Sequence, residues 1–342
     1  LKGKYRNSIL PGFELNLKVE NGWFKYPELA GKVDDINILS TVKLDEGTDL
    51  DNLSVNLSDF HASLGSNSVE MMLDIQTPTS DPKINASFNS NINLEELKNY
   101  IPIPEKDELK GLIFSDLNCQ GNLSAIEKEN YNDFSTSGSL KIMNLNYSNA
   151  SYVSAIDSML FMFSNNEIIL PFFEARFGQS DISASGKINN AVEYYFNDEP
   201  LSGVFNVSST FINLDELANI ETQSTIEDTV SGIATDTAYN ENNPNPLIEI
   251  PINISFNLNC ELDMIEFNKI NLKNTLCQLS LNNGIASIAN LSTNALGGIV
   301  KADGNYFVNE ENTGAVDMNF RMKNISIEDC SKHLITIQKL AP

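Results

Sequence analysis

Along much of the chain apolar and polar residues alternate one for one. In Ile84-Asn85-Ala86-Ser87-Phe88 the even positions are apolar and the odd ones polar, the period of a strand that turns one face to water and hides the other. The same alternation runs through residues 181–188 and 316–322, and stretches rich in Asn, Gly and Ser separate such segments. One-sided strands of this kind favour antiparallel sheets. Ser164-Asn165-Asn166 sits between two apolar arms, and Asn282-Asn283-Gly284 supplies residues that tolerate positive φ. The pattern predicts an all-β chain, mostly an antiparallel meander.

A phrase recurs at long intervals. Ile92-Asn93-Leu94-Glu95-Glu96-Leu97 is matched by Ile212-Asn213-Leu214-Asp215-Glu216-Leu217 and by Ile325-Ser326-Ile327-Glu328-Asp329-Cys330, more than a hundred residues apart each time. In each, an Asn or Ser stands two places before an acidic pair, a common start for a helical turn. Upstream, Gly65 is followed at regular intervals by Val69, Met71 and Ile75, and Gly178 by Ile182, Ala184 and Ile188; a third, less regular copy is centred on Gly298. The period is too long for a common solenoid. It predicts repeated, curved β-sheet units that form an open groove or an elongated sandwich, each ending in a short helix.

Two connectors interrupt the strands: a short one at 101–106 with two prolines, and an acidic, polar one over 221–246 that reads as a mobile linker. The expected organisation is a first β unit over 1–100, a connector with strands over 101–137, a second unit over 138–220, an acidic linker over 221–250, and a third unit with a C-terminal helix over 251–342.

One segment breaks the alternation. From Met159-Leu160-Phe161-Met162-Phe163 to Ile168-Ile169-Leu170-Pro171-Phe172-Phe173 both strand faces are apolar, so both need cover. A sandwiched core pair is favoured slightly over a lipid-lined surface, though both fit the pattern. Phe161, Phe163, Leu170 and Phe172 are the candidate lipid contacts.

Charge and chemistry narrow the field. With 46 Asp and Glu against 22 Lys and Arg, the net charge is -24, a field that repels nucleic acid. The two histidines, His61 and His333, stand in unrelated contexts without a nucleophile or metal-ligand spacing. Asp45, Asp49, Asp51 and Asn52 lack the order of a calcium loop and read as a solvated turn. No phosphate-binding glycine loop or nucleophile elbow occurs. The expectation is a protein without catalytic residues, metal or cofactor. Cys119, Cys260, Cys277 and Cys330 are dispersed; Cys260 and Cys277 are near enough to sit on neighbouring strands, where a disulfide is conceivable but buried free thiols are the expected state.

Asn21-Gly22-Trp23-Phe24-Lys25-Tyr26-Pro27-Glu28-Leu29, then Gly138-Ser139-Leu140-Lys141-Ile142, Asn144-Leu145-Asn146-Tyr147 and residues 177–186 resemble, in that order, the C-terminal region of the AsmA family of the Bacteroidetes type. The resemblance covers most of the chain. It implies a periplasmic β-rich body related to TamB and to chorein-type bridge proteins, an inner-membrane anchor on an N-terminal segment outside this sequence, and an open groove lined by apolar side chains. It brings no catalytic residues with it, and the Tyr26-Pro27 and Ser180-Asp181 positions are expected to be turn and strand-boundary fixtures.

The expected function is therefore non-enzymatic: a periplasmic envelope protein that binds phospholipid acyl chains and supports lipid transport or outer-membrane biogenesis. The competing expectation is an interaction scaffold that docks envelope proteins through its acidic surface and sheet edges.

Overall fold

The computed structural model describes residues 11–27, 31–45, 49–97, 99–100, 108–127, 133–148, 153–165, 167–191, 194, 200–217, 250–308 and 313–333. The connector at 101–106 and nearly all of the acidic linker lie outside them. The chain is all-β, one open, mostly antiparallel sheet of 17 strands with short helices.

It divides into two compact units. One comprises Leu1–Ala150, Ala155–Phe173 and Gly186–Leu201; the other comprises Ser151–Ser154, Glu174–Ser185 and Ser202–Pro342. In the first, seven strands run as an uninterrupted meander: β1 (Phe13–Phe24), β2 (Val33–Leu44), β3 (Leu53–Leu64), β4 (Asn67–Gln76), β5 (Lys83–Asn93), β6 (Glu108–Asn122) and β7 (Phe134–Ser148), each antiparallel to the next. The strands β8 (Val153–Phe163) and β9 (Glu167–Phe177) follow. Their hairpin closes through Ser164 N–H donating to the Glu167 carbonyl at 3.0 Å, as the Ser-Asn-Asn sequence predicts.

After β10 (Ser180–Asn189), β11 (Leu201–Ser209) and the two-residue β12 (Ile212–Asn213), the second unit continues as a meander of β13 (Ile254–Phe267), β14 (Ile270–Asn282), β15 (Ile285–Ala295), β16 (Gly298–Val308) and β17 (Gly314–Lys323). The two-residue β12 lies parallel to β13. Asn283 and Gly284 both have positive φ and join β14 to β15, the mirror-image turn whose twist suits a hairpin. Because β1 and β3 occupy both edges of β2, β17 keeps one strand partner, β16, among the described residues.

Two turns are closed in one way, and a third is built around a similar glycine. Gly65 has a φ of 67°, and the carboxylate of Glu96, on α1 (Leu94–Leu97), accepts from Ser66 N–H at 3.2 Å and Ser66 Oγ at 2.9 Å. Gly178 has a φ of 58°, and Glu216, on the helical turn over 214–217, accepts from Gln179 N–H at 3.0 Å. At the third, Leu296 and Gly297 have positive φ, and Gly297 lies against Ser326 and Asp329 at the start of the C-terminal helix (Ile327–His333). The turn glycine there is Gly297 rather than Gly298, whose backbone already belongs to β16. This shift explains why the third copy looks irregular in sequence. The helix that follows the short α2 (Leu123–Glu127) is thus α3 (Ile327–His333).

The strand starts are tied in parallel fashion. Asn93 N–H donates to Asn67 Oδ1, and Asn213 N–H donates to Ser180 Oγ at 2.9 Å; Asn67 is 1% exposed and Ser180 0%. Aspartates brace the loops between them: Asp51 takes Thr79 and Ser80, Asp81 takes Asn122 and Ser124, and Asp181 takes Thr210 and Phe211. Ser180 and Asp181 are strand-boundary fixtures.

Candidate functional site: an open apolar sheet face

The registers convert strand alternation into continuous rows. In the first unit Val19 lies opposite Ile38, Ile38 opposite Phe60, Phe60 opposite Met71, Met71 opposite Phe88, and Phe88 opposite Leu117. A second row runs Leu15, Val42, Val55, Ile75, Ile84, Gly121 and Phe134 across all seven strands. Bulges keep the rows aligned where the strands would drift: one follows Val19, where Asn21 has a φ of 52° and its N–H is taken by Asn37 Oδ1 at 3.1 Å, and another lies between Leu57 and Phe60.

The opposite face is polar along the same rows. Asn16, Thr41, Asn56, Asp74, Asn85, Gln120 and Ser135 succeed one another from β1 to β7. Thr41 Oγ1 donates to Asn16 Oδ1 at 2.8 Å and Asn56 Nδ2 to Asp74 Oδ2 at 2.9 Å, so this face is satisfied by itself and by water.

Among the described residues the apolar face has no second layer. Ile38, Phe60, Met71, Phe88 and Leu117 are all half-buried rather than enclosed, and at β1 Leu15 and Leu17 are 51% and 49% exposed. Among the described residues only fourteen apolar side chains are fully buried, six of them alanines. The side chains therefore shelter one another along the sheet while their tips stay open. A packed sandwich would bury both inner faces completely.

The second unit carries an equivalent face. Phe256, Leu281, Ala286, Tyr306 and Val316 form one row and Leu258, Leu279, Ile288, Gly304 and Met318 the next. Phe205 of β11 meets Phe256 edge-on at 5.7 Å. On β17 the face is most open, with Val316, Phe320 and Met322 between 56% and 67% exposed.

Of the four residues singled out in sequence, Phe161 and Phe163 share a face of β8, their ring centroids 6.4 Å apart, and both are half-buried. On β9, Phe172 is half-buried, whereas Leu170 is 8% exposed and belongs to the interior. The wider rows centred on Phe60, Met71 and Phe88 escape sequence reading, because alternation assigns a face to each strand but register alone joins strands into a surface.

Polar chemistry is sparse. His61 lies 3.2 Å from Asp35, 3.5 Å from Glu70 and 3.1 Å from the Ser63 hydroxyl, a half-buried polar network on β3. The aspartate-rich turn uses its acids internally: Asp49 Oδ1 caps Asp51 N–H at 2.9 Å and Asp51 braces the Thr79 loop. Ser80 and Thr79 hold the Asp51 carboxyl down to about 2. Among the described residues no cluster of ligating side chains could hold a metal. No described helix is long and apolar enough to cross a membrane.

Cys260 and Cys277 are direct partners across β13 and β14. A hydrogen bond to Cys277, with burial second, pushes the Cys260 thiol up, and the same bond draws Cys277 down to about 7. Comparison with known proteins yields no matching family model, no matching curated protein and no matching solved structure.

Proposed function

We propose that this chain is a non-enzymatic lipid-handling protein of the cell envelope, of AsmA type, whose apolar sheet face holds phospholipid acyl chains. The observation that carries this reading is the unbroken row from Val19 to Leu117, open along its length. Six strands at about 4.8 Å spacing give the row a width of roughly 24 Å, ample for one acyl tail. Each CH₂ that leaves water for such a face contributes about 0.8 kcal/mol. Headgroups stay at the wet margin, so transfer needs no catalytic side chain.

Within this reading the three glycine turns beside Glu96, Glu216 and Asp329 are copies of one module, and each unit carries an apolar face of its own. The periplasm, an N-terminal inner-membrane anchor and a role in lipid transport or outer-membrane biogenesis belong to the same proposal through the sequence resemblance. Transfer of a fluorescent phospholipid between donor and acceptor vesicles tests it. Expected is transfer above the protein-free rate that Phe60→Asp abolishes; transfer no faster than without protein would rule the reading out.

A second reading rests on a different observation. The edge of β17 that has no strand partner among the described residues, with Phe320 and Met322 exposed beside it, suits an interaction scaffold that docks an envelope protein by strand addition.

A further inference from the structure

The cysteine pair of the second unit lies outside both readings. Cys260 on β13 and Cys277 on β14 occupy one register position, flanked on the same face by Leu258, Leu262 and Leu279. Directly opposite residues of an antiparallel pair hold their Cα atoms about 4.5–5.5 Å apart, inside the roughly 4.4–6.8 Å that a disulfide spans. Both thiols are half-buried, so one side stays open to a reagent. Cys119 faces Ala86 and Thr136 across its strands instead, and Cys330 is buried on α3.

We propose that Cys260 and Cys277 form a thiol–disulfide exchange site, oxidised by a disulfide-bearing partner to a cross-strand disulfide that joins β13 to β14. Either thiol can attack first, since the two share one register position; when Cys277 does so, Cys260 resolves the mixed disulfide. The Cys277 sulfur attacks one sulfur of the incoming disulfide, that S–S bond breaks, and the leaving half departs as a thiol with the proton Cys277 gave up. The mixed disulfide on Cys277 is then attacked by the Cys260 thiolate, which expels the second half as a thiol. Two protein thiols and one disulfide become one protein disulfide and two thiols, and two electrons pass to the partner. The product locks the β13–β14 register in the middle of the apolar face.

Oxidised glutathione supplies the test, added to the reduced full chain and followed by intact mass and peptide mapping. Expected for the wild type is the loss of two hydrogens, mapped to Cys260 and Cys277 in one molecule. C260S should stop at a stable glutathione adduct on Cys277, and C277S at one on Cys260. The proposal is overturned by linkage through Cys119 or Cys330, by disulfide dimers, by a glutathione adduct that persists on the wild type, or by thiols that stay reduced at a concentration that oxidises the urea-unfolded chain.

Discussion

Phe88 on β5 stands directly opposite Leu117 on β6, and both are only half-buried. An enclosed aromatic loses about 3–5 kcal/mol when truncated to alanine, because transfer and cavity terms add. Here no second layer among the described residues closes a cavity, so Phe88→Ala should cost only about 1–2 kcal/mol. Urea unfolding measures it, and a loss above about 3 kcal/mol would mean that the face is covered.

Asn67 is buried with Oδ1 engaged by Asn93 N–H while its Nδ2 has no partner among the described residues. Ser180 does the same work for Asn213 with a hydroxyl. Asn67→Ala should therefore lose about 1–3 kcal/mol by orphaning the Asn93 amide. Asn67→Ser should recover most of that loss, as it restores an acceptor and removes the idle donor. Equal losses in both variants would show that packing, not the hydrogen bond, decides.

Glu96 and Ser66 are joined by two hydrogen bonds thirty residues apart in sequence. A double-mutant cycle of Ser66→Ala and Glu96→Ala, read by thermal unfolding, should give a coupling of about 0.5–1 kcal/mol. Gly65→Ala should cost more than 1 kcal/mol by about the usual penalty at positive φ, with Tyr100 and Glu96 crowding the added methyl group. Strict additivity of the first pair would remove the latch from the description of the turn.

Acid titrates the loop braces. Asp51 is held at about 2 by Ser80 and Thr79, below the value of about 3.9 for an unfolded aspartate. The stability it contributes is complete above the unfolded value and is lost as pH falls through the folded one. For Asp181 burial acts upward, but hydrogen bonds from Thr210, Phe211 and Ser209 outweigh it and leave the carboxyl low. Wild-type stability should fall between about pH 4 and pH 2, and Asp51→Asn should flatten part of that slope. An unchanged slope in Asp51→Asn would place the acid sensitivity elsewhere.

Much of this was legible in the chain. Alternation at Ile84–Phe88 assigns β5 and its wet face correctly, and Asn283-Gly284 fixes a tight turn. The short helices at Leu94 and Ile327 follow from Asn or Ser before paired acids. Register was not legible: nothing local tells Phe60 that it faces Met71, since a bulge shifts β3 against its neighbours. Leu170 is interior while Phe172, two residues on, is half-buried, because exposure along one face depends on which strand lies alongside. The glycine of the third turn, Gly297, was hidden behind Gly298 for a similar reason: only backbone φ separates the two.

The most direct measurement is native mass spectrometry, with lipid extraction, of the purified chain after incubation with phospholipid. Phe60→Asp and Phe88→Asp place a charge on the open face, and Ser87→Asp places one on the polar face of the same strand. Expected is bound phospholipid in the wild type and in Ser87→Asp, and none in the two folded phenylalanine variants. Lipid-free wild-type protein, or lipid retained by all three variants, would contradict an acyl-binding face.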